Sequence, residues 1–224
     1  MKAVRIVQFY PELLSIYADR GNVIVLQKHA ERRGLQVQLT RLSLGDRFDP
    51  GACDIALMGG GQDRDQEIVS THLRTQRPAI SDFVAAGGPL LAVCGSYQLL
   101  GHSYTFELDG KSTTVQGLGL IDMTTITSHP RLIGNIEIEA ELNDPDGEPF
   151  ARRLVGFENH AGRTSLGPSV KPLGRVTRGF GNDGTSGFEG AQFQNVIGTY
   201  MHGPLLPRNP WLADHLLFKA RVDK

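Results

Sequence analysis

Along its first hundred residues the chain sets apolar and polar positions in short blocks of two different periods. Val4 to Phe9 reads as a strand, and Val23 to Arg33 carries apolar side chains at helical spacing before Gly34, a residue suited to close a helix. Leu35 to Leu42 alternates again. Asp54-Ile55-Ala56-Leu57-Met58 is an apolar run that stops at Gly59-Gly60-Gly61, and Pro78 to Ala86 has the pattern of a short helix closed by Gly87-Gly88. Leu90-Leu91-Ala92-Val93 is a further buried strand, followed by Cys94-Gly95 and a helical pattern from Ser96 to Leu100. Strands interleaved with helices predict an α/β fold, a mostly parallel sheet covered by helices on both faces.

Beyond about residue 103 the texture becomes β-rich. Short runs are separated by turn signals at Asp109-Gly110, Asn143-Asp144-Pro145-Asp146-Gly147 and Gly181-Asn182-Asp183-Gly184. Leu132 to Ala140 alternates strongly, and Val196-Ile197-Gly198-Thr199-Tyr200 is an apolar strand leading to Met201-His202-Gly203. Trp211 to Val222 predicts a closing amphipathic helix, with Asn209-Pro210 as its cap and first-turn pair. This half is expected to extend the same sheet. No repeat, low-complexity stretch or linker interrupts the chain, so one domain over residues 1–224 is expected.

Charge removes several classes of partner. The 23 Lys+Arg against 24 Asp+Glu leave a formal charge of −1 with no basic block, which argues against binding nucleic acid or an anionic membrane by bulk charge. No stretch approaches the roughly 18 apolar residues of a membrane span. Met1 to Val7 alternates like a strand and lacks the regions of a signal peptide, so a cytoplasmic protein is expected. Two cysteines, Cys53 and Cys94, make no disulfide framework. The 27 glycines exceed the usual share of about 7% and direct attention to where they fall.

The segment Leu91-Ala92-Val93-Cys94-Gly95-Ser96-Tyr97-Gln98 predicts a strand that turns abruptly into a helix. Such an elbow strains its first residue, exposes that side chain and needs a small residue next, a need that Gly95 meets. A thiol at a helix N-terminus is also expected to have its pKa lowered, which favours a nucleophile; the other reading of a lone thiol is a buried structural cysteine. A nucleophilic cysteine needs a base. His202, after a strand and before Gly203-Pro204, is the first candidate, and His160 in Glu158-Asn159-His160-Ala161-Gly162 the second; His29, His72 and His215 lie in helical patterns and are expected to be solvated. No histidine has the spacing of a zinc site, so no metal is expected. Gly59-Gly60-Gly61-Gln62-Asp63 lacks the ending of a P-loop, so ATP binding is not expected here; its N–H groups suit either a tight turn or an oxyanion hole.

Taken together, Met58 to Gln62, the Cys94 to Gln98 elbow and Tyr200 to Pro204 resemble the class I glutamine amidotransferases in their cobyric acid synthase-like branch. Gly59 to Gln66, Gly156 to Thr164 and Gly198 to Pro207 narrow the resemblance to the glutaminase subunits of lipid II isoglutaminyl synthases, over nearly the whole chain. The resemblance implies hydrolysis of L-glutamine, with Cys94 as nucleophile, His202 as its base and an oxyanion hole shared by Gly60 and Gly95. It further implies that Arg131, in His129-Pro130-Arg131, and Gln98 bind the substrate. Ammonia would pass to MurT, a Mur-ligase-like partner that binds ATP and amidates the α-carboxyl of D-glutamate in lipid II; no cofactor is expected in this chain. Most class I enzymes carry a glutamate two residues after the histidine, where this chain has Pro204, so the partner is expected to supply the orienting carboxylate, with Glu158 the candidate within the chain. The alternatives are a glutaminase for another acceptor, such as a cobyrinate-type corrinoid, and a non-catalytic subunit that keeps the fold.

Overall fold

The computed structural model describes residues 3–15, 19–108, 110–144 and 147–220. In chain order the elements are β1 (Ala3–Phe9), α1 (Arg20–Arg32), β2 (Gln36–Leu42), β3 (Ile55–Met58), α2 (Asp63–Thr75), α3 (Arg77–Ala85), β4 (Leu90–Val93) and α4 (Gly95–Leu100). There follow β5 (Ser103–Leu108), β6 (Lys111–Gln116), β7 (Met123–Asn143), β8 (Pro149–Leu166), β9 (Gly174–Arg178), β10 (Phe188–Glu189), β11 (Ala191–Phe193), β12 (Val196–Thr199), α5 (Leu205–Arg208) and α6 (Pro210–Lys219). The turn signals at Asp109 and Pro145-Asp146, and the end of the predicted C-terminal helix from residue 221, lie outside the described residues.

The α/β expectation holds for the first half. One sheet has the order β11-β12-β4-β3-β1-β2, parallel except for β11. Its central strands β3 and β4 are buried at every position, which is why they read as unbroken apolar runs; β2, at the edge, alternates in exposure. Ile6, Phe9, Ile55, Leu57, Leu90 and Leu91 anchor a core that Leu26 of α1, Val69 and Leu73 of α2, Ile80 and Phe83 of α3 and Leu216 of α6 cover.

The second half corrects the expectation of one extended sheet. Only β11 and β12 join the first sheet, whereas β5 to β10 build a second, with the order β10-β9-β7-β5-β6 and β8 paired to β7. Its spine is the long β7–β8 hairpin, whose register shifts between Thr127 and Leu132. That bulge lifts Arg131 out of the ladder, and Phe157 of β8 pairs with His202 just after β12. The two sheets therefore meet at the carboxyl ends of β4 and β12, where open parallel sheets place their sites.

Candidate functional site

The backbone elbow forms as the sequence predicts, but its side chain is buried rather than exposed, because the glycine loop closes against Cys94. β4 ends at Val93, and Cys94 takes φ 55° and ψ −109°, a conformation costly for any residue but glycine, before α4 begins at Gly95. The strain is held by the surroundings. The Cys94 N–H donates to the Thr199 carbonyl at 2.7 Å and the Cys94 carbonyl accepts from the Gln98 N–H at 3.1 Å. The Ser96 hydroxyl accepts from the Val93 N–H and donates to the Met58 carbonyl, both at 2.9 Å, so the elbow is tied to the end of β3. A Cβ on Gly95 would fall 2.9 Å from the Gln66 side chain and 3.0 Å from the Gly61 nitrogen, which leaves room for glycine alone. The glycine loop lies directly over the thiol: a Cβ on Gly60 would stand 3.3 Å from that of Cys94.

His202 arrives from the other side. Its backbone exchanges hydrogen bonds with Phe157, His202 N–H to the Phe157 carbonyl at 2.9 Å and Phe157 N–H to the His202 carbonyl at 3.0 Å. The Arg131 charge acts on both Cys94 and His202, so the three share one locality. Burial sets their protonation. It pushes the Cys94 thiol up to about 12, reinforced by the charge of Asp19 and opposed by the Gly95 N–H and Arg131. This overturns the expectation of a lowered thiol pKa: α4 is a single short helix, and its dipole does not offset the desolvation of the buried thiol. Burial likewise holds the His202 imidazole down at about 4, with help from His160 and Arg131. Both groups are therefore neutral, a thiol acid and an imidazole free base.

Arg131 is fixed by the hairpin. Its Nε donates to Asn159 Oδ1 at 2.9 Å and one Nη to the Asn159 carbonyl at 2.8 Å, while Arg163 donates to the Pro130 carbonyl at 2.6 Å and so braces the bulge. Gln98 lies under the elbow, its amide donating to the Tyr200 hydroxyl at 3.2 Å; Tyr200 in turn meets Thr164, which meets Thr125. The structure thus gathers Cys94, His202, Arg131, Gln98, Gly60 and Gly95 around one elbow. Asn159, Tyr200 and Asp19 join them without having been singled out from the sequence; Asn159 stands beside His160 in a noted motif, but nothing there shows that it grips Arg131.

His160 is placed differently. Its ring stacks face to face on Tyr200, at 3.6 Å between centroids and 4° between planes, and its Nδ1 donates to the Gly162 carbonyl at 2.9 Å. Glu158 is fully buried and receives the N–H groups of Phe180 at 2.8 Å and Gly181 at 3.0 Å; the histidine beside it is His160, at 3.7 Å. The helical histidines are not merely solvated, as expected above. His29 pairs with Asp214, His72 bonds the Tyr10 hydroxyl, and burial lowers His215 to about 4.

A parallel sheet whose strand ends carry a strained cysteine elbow, a glycine loop and a histidine defines an amidotransferase-type site, and the family model of the CobB/CobQ-like glutamine amidotransferase domain matches residues 5–210. The chain belongs to this family. Within it, the chain is 39% identical over 222 residues to the glutamine-hydrolysing lipid II isoglutaminyl synthase subunit GatD of Streptococcus pneumoniae, covering 99% of this chain and 82% of that protein. It is 37% identical over 220 residues to the GatD of Staphylococcus aureus, covering 98% and 85%. Among solved structures, a glutamine amidotransferase from Thermotoga maritima superposes over the full length of both chains with a TM-score of 0.55 at 14% identity, a likeness of fold.

Proposed function

We propose that this chain is the glutaminase subunit of a lipid II isoglutaminyl synthase, with Cys94 and His202 as its catalytic pair. The observation that carries the chemistry is the strained, buried elbow, where Cys94 lies against the glycine loop and feels the same Arg131 charge as the neutral His202 imidazole. A carboxamide is a weak electrophile, so attack requires the thiol proton to leave as the carbon–sulfur bond forms. His202 takes that proton and the Cys94 sulfur adds to the side-chain amide carbon of glutamine. The N–H groups of Gly95 and Gly60 receive the oxyanion, His202 returns the proton to the departing ammonia, and a water activated by the same imidazole then cleaves the thioester to glutamate. Arg131, steadied by Asn159, pairs with the α-carboxylate of glutamine, and Gln98 shapes the pocket through Tyr200.

Charge-assisted contacts of the Arg131 kind contribute about 1.5–3 kcal/mol. Arg131→Ala is accordingly expected to lower kcat/KM for glutamine by about tenfold to a hundredfold, chiefly through KM. Steady-state kinetics check this; unchanged kinetics would leave Arg131 a surface residue that only closes the bulge.

The ammonia acceptor belongs to a second subunit, for which a Mur-ligase-like, ATP-using chain such as MurT fits the GatD relationship, and the product is the amidated D-glutamate α-carboxyl of lipid II. No helix among the described residues is long and apolar enough to cross a membrane. Pro204 occupies the position of the usual orienting glutamate, and both Glu158 oxygens accept backbone N–H groups, so the partner supplies the carboxylate that orients His202. Loss of such a group costs up to about 10⁴ in kcat in triad hydrolases. Glutaminase turnover measured with and without the partner tests the reading: it rises strongly on docking, whereas full activity in the lone chain that Glu158→Gln abolishes would place the third member in this chain.

A further inference from the structure

Asp19 immediately precedes α1, at the position where an aspartate ordinarily accepts an N–H from its own helix. It makes no such bond. Its buried carboxylate reaches across the fold, and Oδ2 accepts the Gly60 N–H at 2.6 Å, while Oδ1 is buried without a hydrogen-bond partner. Gly60 is the loop residue nearest Cys94, and the same carboxylate charge opposes formation of the Cys94 thiolate. One N–H cannot serve a carboxylate and a tetrahedral oxyanion at once.

Resting on the glutaminase reading above, we infer that Asp19 is a latch that withholds the Gly60 N–H from the oxyanion until the start of α1 shifts. It is a positioning residue, acting through Gly60 and touching no substrate. The connection to the outside is short. Gly21 packs on Pro204, where a Cβ would lie 2.5 Å from the proline ring, and Asn22 Oδ1 accepts the Leu206 N–H at 2.8 Å. The first turn of α1 is therefore fastened to the segment that directly follows His202. A subunit docking over His202-Gly203-Pro204 presses on this segment and, through Gly21 and Asn22, on Asp19. Release frees a backbone donor and removes a like charge from the thiolate, two changes that both favour attack.

The test compares Asp19→Ala, which removes the acceptor of the Gly60 N–H, with Asp19→Ser, whose hydroxyl can cap the helix but is too short to hold the loop. Each is assayed as the full chain, alone and with the Mur-ligase-like partner, beside wild type and Cys94→Ser. A single oxyanion donor contributes about 10²–10³ in kcat. Alone, both variants are expected to hydrolyse glutamine at least about tenfold faster than wild type with KM within about twofold. Alkylation of Cys94 by a glutamine-mimicking electrophile speeds up in parallel, and the stimulation by the partner shrinks by the same factor. A structural role for Asp19 would not raise kcat. If the wild-type complex is active and both variants alone, with melting temperatures at the wild-type value, turn over no faster than wild type alone, the latch is wrong and the glutaminase reading stands. If the wild-type complex hydrolyses no glutamine, the glutaminase reading fails and takes the latch with it.

Discussion

Replacing Cys94 by alanine or serine is expected to abolish glutamine hydrolysis, with a loss of the order of 10⁶ in kcat, the scale seen when a hydrolase loses the nucleophile of a concerted set. The fold survives, because the elbow is held by backbone bonds from Thr199 and Gln98 and by the Ser96 hydroxyl, none of which uses the sulfur. Cys53→Ala is the matched control. Its thiol is also buried and also pushed up to about 12, by desolvation and by Asp54, but it sits before β3, at the opposite end of that strand from the Gly59-Gly60-Gly61 loop. Turnover in that variant stays within about twofold of wild type, as for a small core truncation away from the site. A glutaminase assay on the two single variants, with melting curves to show that both are folded, decides the matter; hydrolysis by Cys94→Ala would remove the nucleophile from the account.

The second large effect separates two histidines. His202→Ala is expected to lose general acid–base catalysis, a deficit of about 10²–10⁴ or more, while His160→Ala is expected to keep appreciable turnover. The His160 ring stacks on Tyr200 beside buried Glu158, so its removal lowers the melting temperature before it touches chemistry. The pH profile carries an independent signature. Burial holds the His202 pKa at about 4, below the ordinary 6.5, so the imidazole is still a free base where a solvated one would be half protonated. kcat/KM is therefore not halved on acidification to pH 6.5 and falls only toward pH 4. Fold stability does not mask this limb. His202 and His215, with lowered folded pKa values, withdraw stability as pH falls from 6.5 to about 4; Asp19 and Glu189, raised to about 7, add it as pH falls from 7. The two contributions oppose each other over nearly the same window. Equal losses in the two histidine variants, or a midpoint at 6.5, would contradict the assignment of His202.

Much of the first sheet is legible in the sequence because its strands are buried on both faces. Leu90–Val93 and Ile55–Met58 read as apolar blocks stopped by turn residues, and the elbow after Val93 follows from Cys94-Gly95. α2 is not legible, for a physical reason: its inward face is Gln66, Val69, Ser70 and Leu73, at helical spacing but half polar. Those polar residues are there for the site and the second sheet, Gln66 against Gly95 and Ser70 bonding the Gln116 carbonyl. The second sheet is visible as alternation but not as a separate sheet, since pairing partners are set by the β7–β8 hairpin and its bulge, and buried Glu158, His160 and Thr164 break the apolar pattern of β8. The thiol shows the same limit. A helix N-terminus can be read from Gly95-Ser96, whereas the desolvation that outweighs it depends on Asp19, the glycine loop and the second sheet closing around Cys94.

The most direct measurement supplies the chain and the proposed Mur-ligase-like partner with ATP, lipid II, glutamine labelled with heavy nitrogen in its side-chain amide, and an excess of unlabelled ammonium. Mass analysis of the stem peptide then reports where the new amide nitrogen comes from. The account predicts labelled D-isoglutamine in the wild-type complex and only unlabelled product with Cys94→Ala, because ammonia freed at the elbow passes to the partner while the crippled subunit leaves it to draw on solution. Unlabelled product in the wild-type complex, or labelled product without Cys94, would contradict it.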